Sequence, residues 1–492
     1  MKHIISTLTL LKLANSQIIP DESSWRINCQ TITSPSTQPG PAFTAVQDLS
    51  NGQYNIVWSS FSGRYGAIAG NGNYGSNTDG SFCDADTNSS YTQIAQNGIF
   101  GWPNGVKTVP EQVLGASGYL IVADGFATPT TYDGCLAIID TNGNQPAAAS
   151  DIQFVTSGCG QDSPATTYFY HYVEFVDMDN DGDLDILTAR ASSKTNPTDL
   201  DPANLVWYQN PGTAFSATAP HWTEFVIESS NLVCDTGFDI LTYNSKKYVV
   251  CGGFGSGILA VFSADSTNPD DDWTQTSTIT ADIISPAPAD NGNFYFSQTW
   301  HDMNNDGIPD AIITIGSYGI NMGKLLVYPG SDVNGVLTLT EGIMVYDQFP
   351  VYSSSLGSPG EAFPFYYNVN DEENMVVASI MVSGDDDGNM YMFDPTGYTD
   401  PMGADFNWEY NMETIMKTDT KTPAVLTPLN APTVGQPSVV DLNGDGCNDI
   451  VVPSYALQQL IFLELKNTRN CQHNNVAGER LFEDDFMVGF GF

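Results

Sequence analysis

The stretch Val176–Ala189, VDMDNDGDLDILTA, decides how this chain is read. It sets aspartates at 177, 179, 181, 183 and 185, with Gly182 among them and the apolar run Ile186-Leu187 close behind. Carboxylates packed this densely repel one another unless a cation sits among them. A hard divalent ion takes about six to eight oxygens, and a tight loop delivers them from alternate positions, with glycine permitting the bend. The question is whether such a loop is a site of chemistry or a fastener.

The stretch recurs. FVDMDNDGDLDILTAR from Phe175, WHDMNNDGIPDAIITIG from Trp300 and VVDLNGDGCNDIVVPS from Val439 align without gaps. Each is an apolar lead-in, an acidic loop and a short apolar strand. The spacing from Asp177 to Asp302 to Asp441 leaves room for one degenerate copy in each gap. GFDILTYNSKKYVVCGGFGSGILAVFSAD from Gly237 and YNVNDEENMVVASIMVSGDDDGNMYMFD from Tyr367 fill those places. Two fainter copies start at Val46 and Ala116. Loop starts near 48, 117, 177, 239, 302, 370 and 441 then mark units of short, β-favouring runs, with no amphipathic helix of three turns.

Four antiparallel strands per unit, repeated around an axis, make a β-propeller, which manages its sheet edges by closing on itself. The expectation is an all-β chain: one propeller of about seven four-stranded blades over 18–492, its ring closed by the chain termini. WRINCQTITS from Trp25 would add an outer strand to the last blade, after LQQLIFLELKN. A linear solenoid is the structural alternative and would need capped ends.

Composition narrows function. Acidic residues number 57 against 15 basic ones, a formal net charge of -42. Nucleic-acid binding is excluded, because it needs clustered Lys and Arg. Disorder is excluded by 23 Tyr, 25 Phe and 8 Trp. Eight cysteines without a CxxC and five histidines give zinc and redox chemistry little to use. Scattered cysteines in even number fit disulfides of an oxidising compartment. Cys234–Cys251 is the expected pair; Cys29–Cys471 and Cys447–Cys471 remain open alternatives. Residues 1–17, MKHIISTLTLLKLANSQ, read as a signal peptide, and no segment has the length of a transmembrane span. Asn88-Ser89-Ser90 is a glycosylation sequon.

Calcium suits the loops better than magnesium, which keeps its waters and a stricter octahedron. About three sites are expected. The first takes the side chains of Asp177, Asp179, Asp181 and Asp185 and the backbone carbonyl of Asp183. The second takes Asp302, Asn304, Asp306 and Asp310 with the carbonyl of Ile308. The third takes Asp441, Asn443, Asp445 and Asp449 with the carbonyl of Cys447. A seventh position that varies among Asp, Ile and Cys fits a backbone ligand. An EF-hand would place glutamate at the twelfth position, where Thr188, Ile313 and Val452 stand.

At these loops the chain resembles the FG-GAP/VCBS repeat superfamily, also seen in integrin α-subunit heads. Asp177, Asp302 and Asp441 each open a DxDxDGxxD-type loop, and NLVWYQNPG from Asn204 followed by HWTEFVIES is similar to the VCBS continuation. The resemblance implies calcium at the residues named and a propeller fold. It implies no single activity, since the family holds adhesion and carbohydrate-binding modules, scaffolds, and lyases or dehydratases acting on sugars.

No GxSxG elbow is present, and no catalytic residue is assigned. His171, His221, His301 and His473 read first as packed or exposed blade residues. The reading is therefore a secreted or cell-surface, calcium-stabilised module for adhesion, glycan or protein recognition, or extracellular structure. Its partner is an extracellular protein or glycan, in isolation or within a larger assembly. A calcium-dependent polysaccharide lyase or sugar dehydratase on the same propeller is the alternative. Aromatics in glycine-rich loops, Tyr74, Phe82, Tyr91, Trp102, Phe363, Tyr366 and Tyr367, are the candidate anchors.

Overall fold

The computed structural model describes residues 18–19, 25–31, 40–48, 54–60, 67–74, 92–96, 98–126, 133–157, 159, 168–192, 203–227, 234–254, 256–264, 273–274, 279–285, 293–317, 323–349, 359–371, 376–385, 387–396, 406–418, 434–442, 444–455 and 459–465. They form a β-propeller of antiparallel sheets laid down one after another along the chain.

The 169–226 sheet shows how sequence produces this packing. Phe169–Val176, Asp185–Ala191, Ala203–Gln209 and Thr223–Val226 pair in chain order, each antiparallel to the last. Every residue of Asp185–Ala191 is buried. Side chains alternate between the two faces of a strand, and here both faces meet another sheet. Ile186, Val206 and Tyr208 pack with Ile121 and Ile138 of the 103–154 sheet. Leu187, Leu205 and Trp207 pack with Val249 and Phe262 of the 237–285 sheet. That is why these strands read as unbroken apolar runs without a polar face.

The first strands are neighbours. Phe43–Asp48 touches Pro103–Thr108, which touches Phe169–Val176; contacts continue through Gly237–Tyr243 and Asn293–His301 to Ala362–Phe365. Ser438–Val440 touches Phe43–Asp48. Thr44 and Gln436 bond through backbone and side chain across that junction. These strands line the middle of the molecule.

The uniform set of seven four-stranded blades is corrected. Among the described residues, six sheets have four strands, the sheet over 362–418 has five, and a further sheet has only two. The fifth strand is Ile18–Ile19, which pairs with Lys417 and Thr418 at the end of the ten-residue strand Glu409–Thr418. The two-stranded sheet is a hairpin, Gly330–Val333 with Val336–Leu339. Its turn residues Asn334 and Gly335 both have positive φ, 59° and 84°, as an Asn-Gly hairpin turn requires. Trp25–Thr31 pairs with Gln459–Leu465, as WRINCQTITS and LQQLIFLELKN suggested.

Cys234–Cys251 is a disulfide, as expected, and Cys135–Cys159 is a second that spacing did not single out. Cys447 is also disulfide-bonded. Residues 1–17, Asn88, Cys471 and His473 lie outside the described residues. Replacing Cys135 and Cys159 by alanine should cost about 3 kcal/mol, the chain entropy of a loop of ~25 residues. Thermal unfolding of the double variant measures this; an unchanged midpoint would show that the bridge adds no stability. Among the described residues, no helix is long and apolar enough to cross a membrane.

Candidate metal centre

The three full loops join the first and second strands of their sheets and repeat one hydrogen-bond pattern. The opening aspartate accepts the N–H of the bend glycine: Asp177 from Gly182 at 3.0 Å, Asp302 from Gly307 at 2.7 Å, Asp441 from Gly446 at 2.9 Å. The fifth residue accepts from the seventh, in the pairs Asp181–Asp183, Asp306–Ile308 and Asp445–Cys447. The ninth accepts from the second, in the pairs Asp185–Met178, Asp310–Met303 and Asp449–Leu442. Asn180, Asn305 and Gly444 share positive φ at the fourth position, as do Gly182, Gly307 and Gly446 at the sixth. Both αL positions fall to residues that tolerate them.

In the first loop, one carboxylate oxygen each from Asp177, Asp179 and Asp185 lies within 4.8 Å of the other two, an arrangement able to coordinate a metal ion. The third strand's end braces it: Gln209 Nε2 donates to Asp179 at 2.7 Å, and the Asn210 N–H to Asp185 at 2.7 Å. Asp177 Oδ1 is buried without a hydrogen-bond partner among the described residues, as is Asp449 Oδ1 in the third loop. A buried carboxylate oxygen left bare is costly, and a cation answers it. The donor set is all oxygen, which fits a hard ion.

Electrostatics agree. Burial pushes Asp185 up to about 7, and Asp179 and Asp181 add to it, although the Asn210 and Met178 N–H groups pull the other way. Burial likewise lifts Asp310 and Asp449 to about 8, with neighbouring acids adding to it. Asp179 and Asp302 are raised by burial and by Asp181 and Asp306 respectively. In each loop the ninth-position carboxyl is thus raised by burial, with neighbouring acids adding to it.

The second loop carries the amide Asn304 at its third position, where Asn304 Nδ2 donates to Asp306. Asn443 lies outside the described residues. The degenerate units have other turns: Asn244 and Ser245 make a tight hairpin near 239, and in the 370 loop Asp371 accepts the Asn368 N–H.

Several candidate groups prove to be packing. His301 Nε2 lies 2.7 Å from Tyr366 Oη, His171 meets Phe43 edge-on, and burial lowers both imidazoles to about 4. His221 is exposed. Tyr367 is buried and donates to Asp394, Phe363 packs on the core, and Trp102 stacks on Phe126. Phe82, Tyr91 and the side chain of Tyr74 lie outside the described residues.

Sequence reasoning missed a cluster on the central strands. Lys107 Nζ donates to Glu174 at 2.5 Å and lies 5.3 Å from the centre of the Tyr172 ring. Tyr172 is hydrogen-bonded to Glu174, and burial, then Glu174, raises its hydroxyl well above the usual range. Asp239 accepts the N–H groups of Trp300 and Ile240 and is pushed up to about 7, by burial first and then Glu174. Burial also lifts Glu361 to about 7, against a hydrogen bond from Ser297. The available signal was a charged residue inside each apolar first strand: PNGVKT, FYHYVEFV and GFDILTY.

Comparison with known proteins adds likenesses without function. No protein-family model matches the chain, so the FG-GAP/VCBS resemblance gains no support there, and no curated protein matches it. Among solved structures, a GH93 α-L-arabinofuranosidase of Fusarium graminearum with arabinobiose is similar at 10% identity. That likeness covers 90% of this chain and 97% of that one, with a TM-score of 0.40. The polysaccharide lyase Uly1 is 10% identical over 93% of this chain and 95% of its own, TM-score 0.42. The Nup133 β-propeller domain of Vanderwaltozyma polyspora is 8% identical over 91% and 99%, TM-score 0.45. At such values none carries an argument about this chain's chemistry.

Proposed function

We propose that this chain is an extracellular, calcium-stabilised β-propeller acting as a non-catalytic recognition or structural module. Residues 1–17 serve as the export signal and 18–492 as the working protein. The observation that carries the metal reading is the threefold recurrence of one loop geometry, with bare buried oxygens on Asp177 and Asp449. In this reading Asp177, Asp179, Asp181 and Asp185 hold the first ion with the carbonyl of Asp183. Asp302, Asn304, Asp306 and Asp310 with Ile308, and Asp441, Asn443, Asp445 and Asp449 with Cys447, hold two more. The ions offset carboxylate repulsion and pin the turn between first and second strands. The disulfides Cys135–Cys159 and Cys234–Cys251 support an oxidising compartment.

The test is stoichiometry. Chelated protein titrated with calcium should take up about three ions, and substitution within one loop should remove one of them. Failure to bind calcium at millimolar concentration would refute the assignment. A second reading, a calcium-dependent sugar lyase or dehydratase, is favoured by one observation: Asp239 and Glu361 sit near 7 beside Lys107 and Tyr172. Groups poised there suit general acid–base work. Defined products from acidic polysaccharides, lost on Asp239→Asn or Glu361→Gln, would select it over recognition.

A further inference from the structure

We propose that the cavity at the propeller's centre, between Phe43–Asp48, Pro103–Thr108, Phe169–Val176 and Gln436–Ser438, binds an uncharged polyhydroxyl ligand the size of one sugar ring, with Lys107 and Gln436 as its principal contacts. The inference deepens the recognition reading and does not depend on calcium.

The cavity has a volume of about 320 Å³, near the lower end of the ~300–1,000 Å³ usual for small-molecule sites. Its wall alternates polar groups with valine and proline carbon, the mixture that suits a ring with hydroxyls at its rim and C–H groups on its faces. The polar groups are fixed in place. Thr44 Oγ1 lies 3.0 Å from the carbonyl of Gln436 and 2.9 Å from Ser438 Oγ. The Gln436 backbone is held from both sides, donating to Ala42 and accepting from Thr44. Its side-chain amide, one donor group and one acceptor, has no partner among the described residues. The Lys107 ammonium carries three N–H donors, and Glu174 takes one.

Charge selects the ligand class. The cavity wall itself has one ionic group, Lys107, which disfavours a cation inside. Just beyond it, on adjoining strands or next to one, stand Glu174, Asp239 and Glu361, all acting on Tyr172, and the whole chain carries a net charge of -42. An anion therefore meets repulsion on approach and around the pocket. An uncharged ligand meets neither penalty, and leaves the Lys107–Glu174 pair intact.

The experiment is calorimetric titration of the full chain in calcium with glucose, galactose, mannose and arabinose, and with glucuronate and glucosamine. Saturable binding of at least one neutral sugar is expected, with its acidic or amino counterpart weaker by about tenfold or more. Lys107→Met and Gln436→Ala should each weaken that binding by about tenfold, with calcium stoichiometry unchanged. Using two variants guards against a folding defect in either. The proposal is overturned if no neutral sugar binds, if glucuronate or glucosamine binds more tightly, or if both variants bind like the parent. A parent protein that binds the sugar but takes up no calcium would overturn the metal reading and leave this proposal standing.

Discussion

Chelating calcium should lower the melting temperature by roughly 8 °C at pH 8. An ion at ~100 times its dissociation constant stabilises the state that binds it by about 2.7 kcal/mol, so the three proposed sites would supply ~8 kcal/mol. Unfolding entropy near ~2.1 cal/mol/K per residue gives about 1 kcal/mol/K for a chain of this length, and the shift follows. The sign of its pH dependence comes from the loops. Without an ion, Asp185 sits at about 7 and Asp310 and Asp449 at about 8, against ~3.9 in an unfolded chain. Their folded values are raised, so the ion-free protein holds extra protons when folded. That contribution is full below ~4 and is lost as pH rises through 7 to 8. Calcium needs the ionised carboxylates and competes with those protons, so its affinity rises over the same range. The gap between calcium and chelator should be small at pH 5 and widest above pH 8. Differential scanning calorimetry at both pH values checks it, and an equal gap at both would exclude these carboxylates as the ligands.

Asp181→Asn separates cage from scaffold. Asp181 is exposed, and its bond from the Asp183 N–H survives in an amide. In calcium the variant should lose about a third of the total stabilisation that the three ions supply. In chelator it should melt no lower than the parent, because one repelling charge is gone. A loss of equal size in both conditions would make Asp181 structural.

The turns of the loops were legible because their backbone geometry is set within nine consecutive residues. Period, glycine bend and acid spacing are local, so Asp177, Asp302 and Asp441 announce themselves. The stacking of sheets was legible for a related reason: strands buried on both faces, such as Asp185–Ala191, lose the polar alternation and read as apolar runs. Uniform strand count was not. The pairing of Ile18–Ile19 with Lys417 and Thr418 joins residues about four hundred positions apart, and no local pattern encodes it. The hairpin at Asn334-Gly335 did carry a local signal, an Asn-Gly pair between β-favouring runs, but it lay inside a unit already read as complete. The central cluster was hidden for the reason that makes it interesting. Lys107, Glu174 and Asp239 lie on strands of three different sheets and Glu361 just before a strand of a fourth, and only the packing of sheet against sheet brings them together. The aromatic loops misled in the opposite direction: Tyr366 and Tyr367 looked presented but are bonded inward to His301 and Asp394.

Trp207→Ala should cost about 3–5 kcal/mol, the range for truncating a fully buried aromatic. Trp207 is completely buried between the 169–226 and 237–285 sheets. Its ring stacks on Phe225 at 4.4 Å, and its Nε1 donates to the Trp273 carbonyl at 3.2 Å. Alanine removes the ring that fills the space between two sheets and strips a buried carbonyl of that donor. Phenylalanine should cost less, since it keeps most of the packing and loses only the indole bond. The consequence should reach the first metal loop but not the others. The strand that carries Trp207 ends in Gln209, which holds Asp179, and the next residue, Asn210, holds Asp185. Loosening that strand should weaken calcium at Asp177–Asp185 while the loops at Asp302 and Asp441, braced by other sheets, keep their affinity. Denaturant unfolding measures the first effect and calcium titration the second. A variant that loses all three ions together would mean that the sheets unfold as one body, and one that keeps all three unchanged would remove Gln209 and Asn210 from any role in holding the cage.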